Sequence, residues 1–153
     1  MINQTLCTSF KAQVLLGVHD FRAAGGDTFK IALYTAEANL GADTTQYTSE
    51  GEIAGVNYSA GGITLTNLGV TTDNASGQGF ATFANAVFTN ATITARGALI
   101  YNTTPSATDA SGNVLTNPAV CVLDFGSDKT VIGGDFTIVF PAAAGNTAII
   151  RIA

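Results

Sequence analysis

Apolar and polar residues alternate along most of the chain, and a period of two is typical of β-strands that bury one face. The alternation is clear around Ile31 and recurs after the Gly61-Gly62 break. The pattern predicts strands at residues 29–34, 63–66, 80–83, 92–101, 120–125, 136–140 and 148–152. A series of about seven or eight short strands favours a sandwich or a barrel.

One helical pattern stands near the N-terminus, from about Thr8 to Phe21, where apolar residues recur at spacings of three to four. Thr8 or Ser9 is expected to cap its start, and the small residues from Ala23 to Gly26 are expected to end it. An amphipathic helix must cover another element with its apolar side. We expect it to rest on the chain's own sheet rather than on a neighbouring subunit.

Glycine-containing turns separate the predicted strands and indicate antiparallel connections. Gly77, Gly112 and Gly133 supply positions that tolerate a positive φ, as tight turns require. None of the segments between strands is long and helical enough to serve as the crossover that parallel strands need. Residues 103–118, from Thr103 to Pro118, are the least regular stretch and are expected to form a protruding loop or an irregular hairpin.

These elements predict a mainly β fold, an antiparallel β-sandwich that is jelly-roll-like and carries one short N-terminal α-helix. The length of 153 residues fits a single folding unit. Within that unit, residues 1–26 are expected to form an N-terminal arm and the helix, and residues 27–153 the sandwich.

Charged residues are scarce, at 11% of the chain against about 25% in an average domain. Sparse charge is permissive for burial in an assembly, because each buried unpaired charge must be desolvated. The net charge of −5, with lysines and arginines scattered singly, argues against a nucleic-acid partner. The apolar runs are too short for a secretory signal or a membrane span, so we expect synthesis in a cytoplasm and no membrane partner.

The inventory of catalytic residue types is poor. The single histidine, His19, stands beside Asp20 in the predicted helix, and adjacent helical residues do not face each other. A cation at the helix end or a histidine packed in the core is therefore favoured over a catalytic dyad. We expect no enzymatic activity and no cofactor.

The densest carboxylates are Asp124, Asp128 and Asp135, which flank what is expected to be a hairpin. Close approach of Asp124 and Asp135 across that hairpin would create a candidate Ca²⁺ site. Lys129 lies among them, however, and aspartate commonly caps backbone N–H groups in turns. Turn capping is favoured, and we assign no metal ligand.

Three further sets of residues have structural interpretations. Arg96 lies among small and apolar neighbours and is expected to pair with a carboxylate such as Asp124 or Asp135. Cys7 and Cys121 stand far apart in sequence and are expected to be free, buried thiols, with a bridge between them left open. A carbohydrate site lacks support, because the sequence has no tryptophan and its tyrosines are scattered at Tyr34, Tyr47, Tyr58 and Tyr101.

Five segments, taken in order, resemble a widespread family of small structural proteins of tailed bacteriophages. The resemblance covers nearly the whole chain, and the order of the segments is more specific than any one of them. The segment 103–118 looks longer here than in shorter members. The segments are 28–35 (TFKIALYT), 55–62 (GVNYSAGG), 95–101 (ARGALIY), 123–127 (LDFGS) and 133–138 (GGDFTI).

The resemblance implies a non-enzymatic virion component that is made in the host cytoplasm. We expect a capsid decoration or cement protein that bridges subunits of the major capsid protein and is itself a homo-oligomer, a dimer or a trimer. A neck, tail or fibre-base adaptor is the first alternative, and a surface module that binds glycans is the second. Residues 1–9 and the segment 103–118 are the candidates for reaching neighbouring subunits.

Overall fold

The computed structural model describes residues 1–105 and 107–153. Ser106, inside the segment predicted to protrude, lies outside the described residues. In the described chain one helix accompanies eight strands. They are β1 (Thr5–Leu6), α1 (Thr8–Leu15), β2 (Phe29–Tyr34), β3 (Ile63–Thr64), β4 (Asn67–Asp73), β5 (Gln78–Phe83), β6 (Ala86–Asn102), β7 (Ala119–Ile138) and β8 (Ile150–Ile152).

The strands form two antiparallel sheets, as the sequence predicts from the turns between strands and from the lack of helical crossovers. The larger sheet has the order β1-β7-β6-β2-β3, and the smaller one has the order β4-β5-β8. Every pairing between these strands is antiparallel. The mainly β class with one short helix is confirmed, while the jelly-roll connectivity stays a prediction.

Aromatic side chains join the two sheets into a sandwich. Phe29 on β2 contacts Phe83 on β5, with ring centroids 5.6 Å apart, and Phe83 in turn contacts Phe140 at 5.9 Å. Phe21 stacks on Phe29 at 4.4 Å and closes this core from the side of the N-terminal segment. Such rings bury large apolar areas, so the contact between the sheets is mainly hydrophobic.

The helix is shorter than the sequence pattern predicts. It ends at Leu15, because Gly17 adopts a positive φ of 70°. The N–H of Gly17 then donates to the carbonyl of Val14, and the N–H of Val18 donates to the carbonyl of Gln13. These two bonds form a Schellman motif, which ends a helix at glycine. The expected end at residues 23–26 is therefore wrong.

The start of the helix also differs from the prediction. Cys7 occupies the N-cap position, and no side chain caps the helix. The N–H of Thr8 is satisfied by the carbonyl of Ala42 instead, so a tertiary contact replaces the expected Thr8 or Ser9 cap. The helix buries Phe10 and Gln13 and packs beside β7, which confirms that it rests on the chain's own sheet.

The largest difference concerns residues 119–138. The sequence predicts two strands joined by a turn at Gly133, but the structure has one 20-residue strand, β7, paired along its length with the 17-residue β6. Gly126 and Gly133 have positive φ values of 75° and 61°. Both lie within β7, beside irregularities in its register with β6. Glycine tolerates a positive φ in a bulge as readily as in a turn, and the hairpin prediction is wrong.

Candidate interaction surface

The β6–β7 pair divides into two parts with different surroundings. In the inner half, residues 97–102 of β6 lie opposite residues 119–124 of β7, and Leu99, Ile100 and Val122 are fully buried. In the outer half, residues 86–96 lie opposite residues 125–138. There Phe88 and Ile93 remain buried while their sequence neighbours are exposed. One face of the outer half therefore belongs to the core and the other faces solvent.

The solvent side of the outer half is largely uncharged. Ile132 is 81% exposed, and Val87 lies opposite Thr137 with both side chains exposed. The hydroxyls of Thr94 and Thr130 share a cross-strand hydrogen bond of 2.8 Å. Threonine and aliphatic side chains thus cover this surface, which we call the threonine face (Val87, Thr92, Thr94, Thr130, Ile132 and Thr137).

The outer edge of β7 is mostly free of a neighbouring strand. β1 pairs only with Val122 and Cys121. Beyond them, the N–H of Asp124 donates a long 3.4 Å hydrogen bond to the side-chain oxygen of Gln4, and no described strand pairs with β7 on this side. Unpaired edges of this kind expose backbone donors and acceptors.

A groove of about 940 Å³ runs beside this edge and separates β7 from the C-terminal segment. Both sheets contribute to its lining, because β7 lies in the larger sheet and β8 in the smaller. We call it the edge groove. Its apolar lining includes Leu6, Leu123, Phe125, Phe136, Phe140 and Ile149, and its cationic lining is Lys129 and Arg151.

The predicted cluster of aspartates does not assemble into a metal site. Asp124 lies opposite Gly97, whereas Asp135 lies near Ala91 and accepts a 3.0 Å hydrogen bond from the N–H of Asn90. Asp124 likewise accepts from the N–H of Gly126 at 2.9 Å. In residues 1–105 and 107–153 no group of His, Cys, Asp and Glu is arranged to hold a metal ion. Both carboxylates instead satisfy backbone donors at bulges, which agrees with the capping interpretation in a different setting.

Arg96 pairs with carboxylates, as expected. Its guanidinium lies 3.5 Å from Asp124 and 3.6 Å from Asp128, at the boundary between the two halves of the β6–β7 pair. Asp135 takes no part in this pairing. All three side chains are partly exposed, and ion pairs in such settings contribute little to stability.

His19 lies in the loop after the helix and not within it. Its Nδ1 accepts from the Asn102 amide at 3.1 Å, and its Nε2 lies 2.7 Å from the side-chain oxygen of Gln13. This arrangement fits a neutral ring that carries its proton on Nε2. Burial lowers the pKa of His19 to about 4, although Asp27 opposes the shift. The packed histidine is confirmed, and the cation at the helix end is wrong.

The four tyrosines are scattered in the sequence but gather in space around Glu52. The Glu52 carboxylate accepts from the hydroxyls of Tyr47 and Tyr58 at 2.5 and 2.6 Å. Tyr101 stacks on Tyr47 with ring centroids 4.8 Å apart, and Tyr34 forms a β-bridge with Glu52. Burial raises the pKa of Tyr34 and of Tyr58. Sequence reasoning missed this cluster, because no local spacing links residues that meet only through strand pairing.

The Glu52 cluster is better suited to holding structure than to binding a sugar. Tyr34 and Tyr101 are 0% and 3% exposed, so neither ring is accessible for stacking. Tyr58 also donates its hydroxyl to Glu52 and accepts from the N–H of Leu33 at 2.9 Å, which ties a loop to β2. The hydroxyl of Tyr101 donates to the carbonyl of Gly61 at 2.7 Å. The phenols are thus already engaged within the fold.

Both cysteines are free and buried, as expected. They lie close together on neighbouring strands, because Leu6 pairs with Cys121 and the N–H of Cys7 donates to the carbonyl of Val120. Burial raises the pKa of the Cys7 thiol to about 11 and also raises the pKa of Cys121. A thiol without thiolate character is a poor nucleophile.

The two segments expected to reach neighbouring subunits differ in the structure. Residues 1–9 are tied to their own chain: the N–H of Asn3 donates to the carbonyl of Leu40, and β1 pairs with β7. The segment 103–118 contains an irregular hairpin in which Thr108 and Val114 form an antiparallel bridge. Val114 is 79% exposed there, so this segment keeps an accessible surface.

Searches among known families, curated proteins and solved structures found no match to this chain. Among the described residues, no helix has the length and apolar character needed to cross a membrane. The geometry therefore carries the functional argument.

Proposed function

We propose that this protein is a non-enzymatic structural component of a tailed-bacteriophage particle, and that it decorates the capsid as a cement protein contacting the major capsid protein. The threonine face carries the proposal. It offers a largely uncharged surface on a pair of long strands, and Ile132 at 81% exposure and Val87 at 39% give it apolar contacts. Interface centres are depleted of charge in the same way.

The side-chain chemistry of the chain supports a structural role. His19, Asp124 and Asp135 are each engaged by hydrogen bonds within the fold, and the Glu52 carboxylate is taken up by tyrosine hydroxyls. Bridging of capsid subunits also needs many modest contacts that act together rather than one reactive site. We propose that the protein acts as a homo-oligomer, because an oligomer makes several such contacts to the capsid at once.

The copy number in purified particles tests the proposal. A decoration protein approaches the copy number of the major capsid protein, so quantitative mass spectrometry of virions is expected to give comparable amounts of the two. A count of about a dozen or fewer would instead assign the chain to the neck or tail.

A matched pair of variants tests the surface. Ile132→Asp places a charge on the threonine face and is expected to reduce occupancy on particles without changing the melting temperature of the isolated protein. Leu15→Asp is the control, because Leu15 is 89% exposed on α1, away from that face. Equal occupancy of the two variants would contradict a contact through the threonine face.

A further inference from the structure

Along the edge groove, the backbone of β7 has room to pair with another strand. β7 continues for 16 residues beyond Val122, the last position that β1 covers. Along this stretch its hydrogen-bonding partner is β6 on one side, while on the other side Gln4 supplies the side-chain contact to Asp124. An extended segment that continues the line of β1 would therefore meet N–H and C=O groups that pair with no described strand. Among them, the N–H groups of Asp124 and Gly126 bond to the side chains of Gln4 and Asp124, which the incoming segment would displace.

The lining of the groove favours an extended polypeptide over a small polar ligand. Phe125 and Leu123 are half-buried on β7, and Ile149 faces them from the C-terminal segment. Side chains of an added strand point alternately to its two faces. Every second residue of such a strand would enter this apolar lining, and the residues between would point away from it.

The charges in the groove define the chemistry of the incoming segment. Lys129 and Arg151 both line it, and within the described residues neither forms an ion pair with a carboxylate. Lys129 donates to the hydroxyl of Ser127, and Arg151 to the carbonyl of Asn146. The groove carboxylate, Asp124, is already paired with Arg96. The chain as a whole has a net charge of −5, so the positive charge that Lys129 and Arg151 give to the groove is a local feature.

We infer that the edge groove binds an extended segment of a partner protein, one that alternates apolar residues with polar ones and carries carboxylates, by adding it as a strand beside β7. The inference deepens the proposed function, since it rests on that function for the partner's being a neighbouring virion protein. Backbone hydrogen bonds to β7 supply affinity, and the apolar lining with Lys129 and Arg151 supplies specificity.

The inference is tested on the isolated full-length protein with a defined probe. The probe is an acetylated nine-residue peptide in which valine occupies every second position and glutamate or threonine the others. Fluorescence anisotropy is expected to show saturable binding, and hydrogen exchange is expected to show new protection at residues 123–130 with none at β2. Lys129→Glu is expected to weaken binding at least tenfold, whereas Lys11→Glu, which changes an exposed cation on α1, leaves it unchanged.

Two control peptides separate strand addition from unspecific attraction. N-methylation of alternate amides on the edge-facing side should abolish binding, and replacement of glutamate by lysine should weaken it at least tenfold. Binding that survives N-methylation, or that responds equally to the Lys129 and Lys11 variants, would overturn the inference, as would complete absence of binding. A dimer of this chain that dissociates on Lys129→Glu would also overturn it, because a second copy would then occupy the edge.

The peptide result and the copy number can fail separately. If the protein binds the peptide but is present in few copies per particle, strand binding at the edge groove is supported and the cement role is contradicted. If the protein matches the capsid protein in number but does not bind the peptide, the cement role is supported and strand binding is contradicted.

Discussion

The inner and outer halves of the β6–β7 pair are built from the same two strands, yet they serve different purposes. The inner half is buried on both faces, with Leu99 and Val122 fully inaccessible, and within the sheet it is flanked by β1 and β2. The outer half buries one face and leaves both the threonine face and the β7 edge open. A pair of strands that is buried on both faces contributes mainly to stability, whereas a pair that is buried on one face also presents a surface to solvent.

The largest expected effect is a difference in the free energy of unfolding between truncations in the inner half and truncations in the outer half. Leu99→Ala removes a fully buried side chain and leaves a cavity in the inner half, so we expect a loss of about 2–5 kcal/mol in the free energy of unfolding. Ile132→Ala, at an 81% exposed position, is expected to change it by less than about 0.5 kcal/mol. Urea denaturation of both variants measures the difference, and similar losses would mean that the outer face is also packed.

His19, which is hydrogen-bonded to Asn102 at the end of the inner half, predicts that the stability of the protein depends on pH. The pKa of His19 is about 4 in the folded protein and 6.5 as the unperturbed reference. The unfolded chain therefore binds the proton first, and stability is lost as the pH falls from 6.5 to 4. The loss amounts to at most about 3 kcal/mol.

The variant His19→Gln isolates this contribution, because every carboxylate of the chain is present in both proteins. Chemical denaturation between pH 7 and pH 4 is expected to show a shallower decline for the variant. Parallel curves for the two proteins would contradict a buried neutral His19.

The smallest effect lies where the halves meet. Asp128→Asn removes one of the two carboxylates near Arg96, at a position whose side chain is 57% exposed. We expect a change below about 1 kcal/mol that shrinks further as salt is added, since exposed ion pairs are weak and screened. Thermal denaturation at low and high ionic strength measures it. A large loss that is independent of salt would assign Arg96 to the core.

Much of the fold could be predicted from the sequence, because its main signal is local. The alternation around Ile31 correctly places β2, and the strand predicted at residues 80–83 lies within β5. The prediction is wrong at two glycines that have a positive φ. Gly133 is predicted to form a turn but lies at a bulge within β7, and Gly17, rather than residues 23–26, ends the helix. A positive φ is compatible with a turn, a bulge or a helix end, and the choice between them depends on what pairs with the flanking residues.

The candidate surfaces could be predicted only in part. Pairing of Arg96 with Asp124 was expected and is present, because an arginine among apolar neighbours needs a carboxylate. The Glu52 cluster and the edge groove were not expected. The first depends on contacts between residues as distant as Tyr47 and Tyr101, and the second on how far β1 runs along β7.

The sequence by itself determined the antiparallel β class, the single short helix and the low charge, since each follows from residue type and period alone. The tertiary structure alone decided which polar groups meet and which strand is left without a neighbour. Strand pairing brings together residues that are distant in sequence. Whether a strand edge lacks a neighbour depends on where every other strand of the chain lies. The threonine face and the edge groove, which carry the proposals for this protein, are features of that kind.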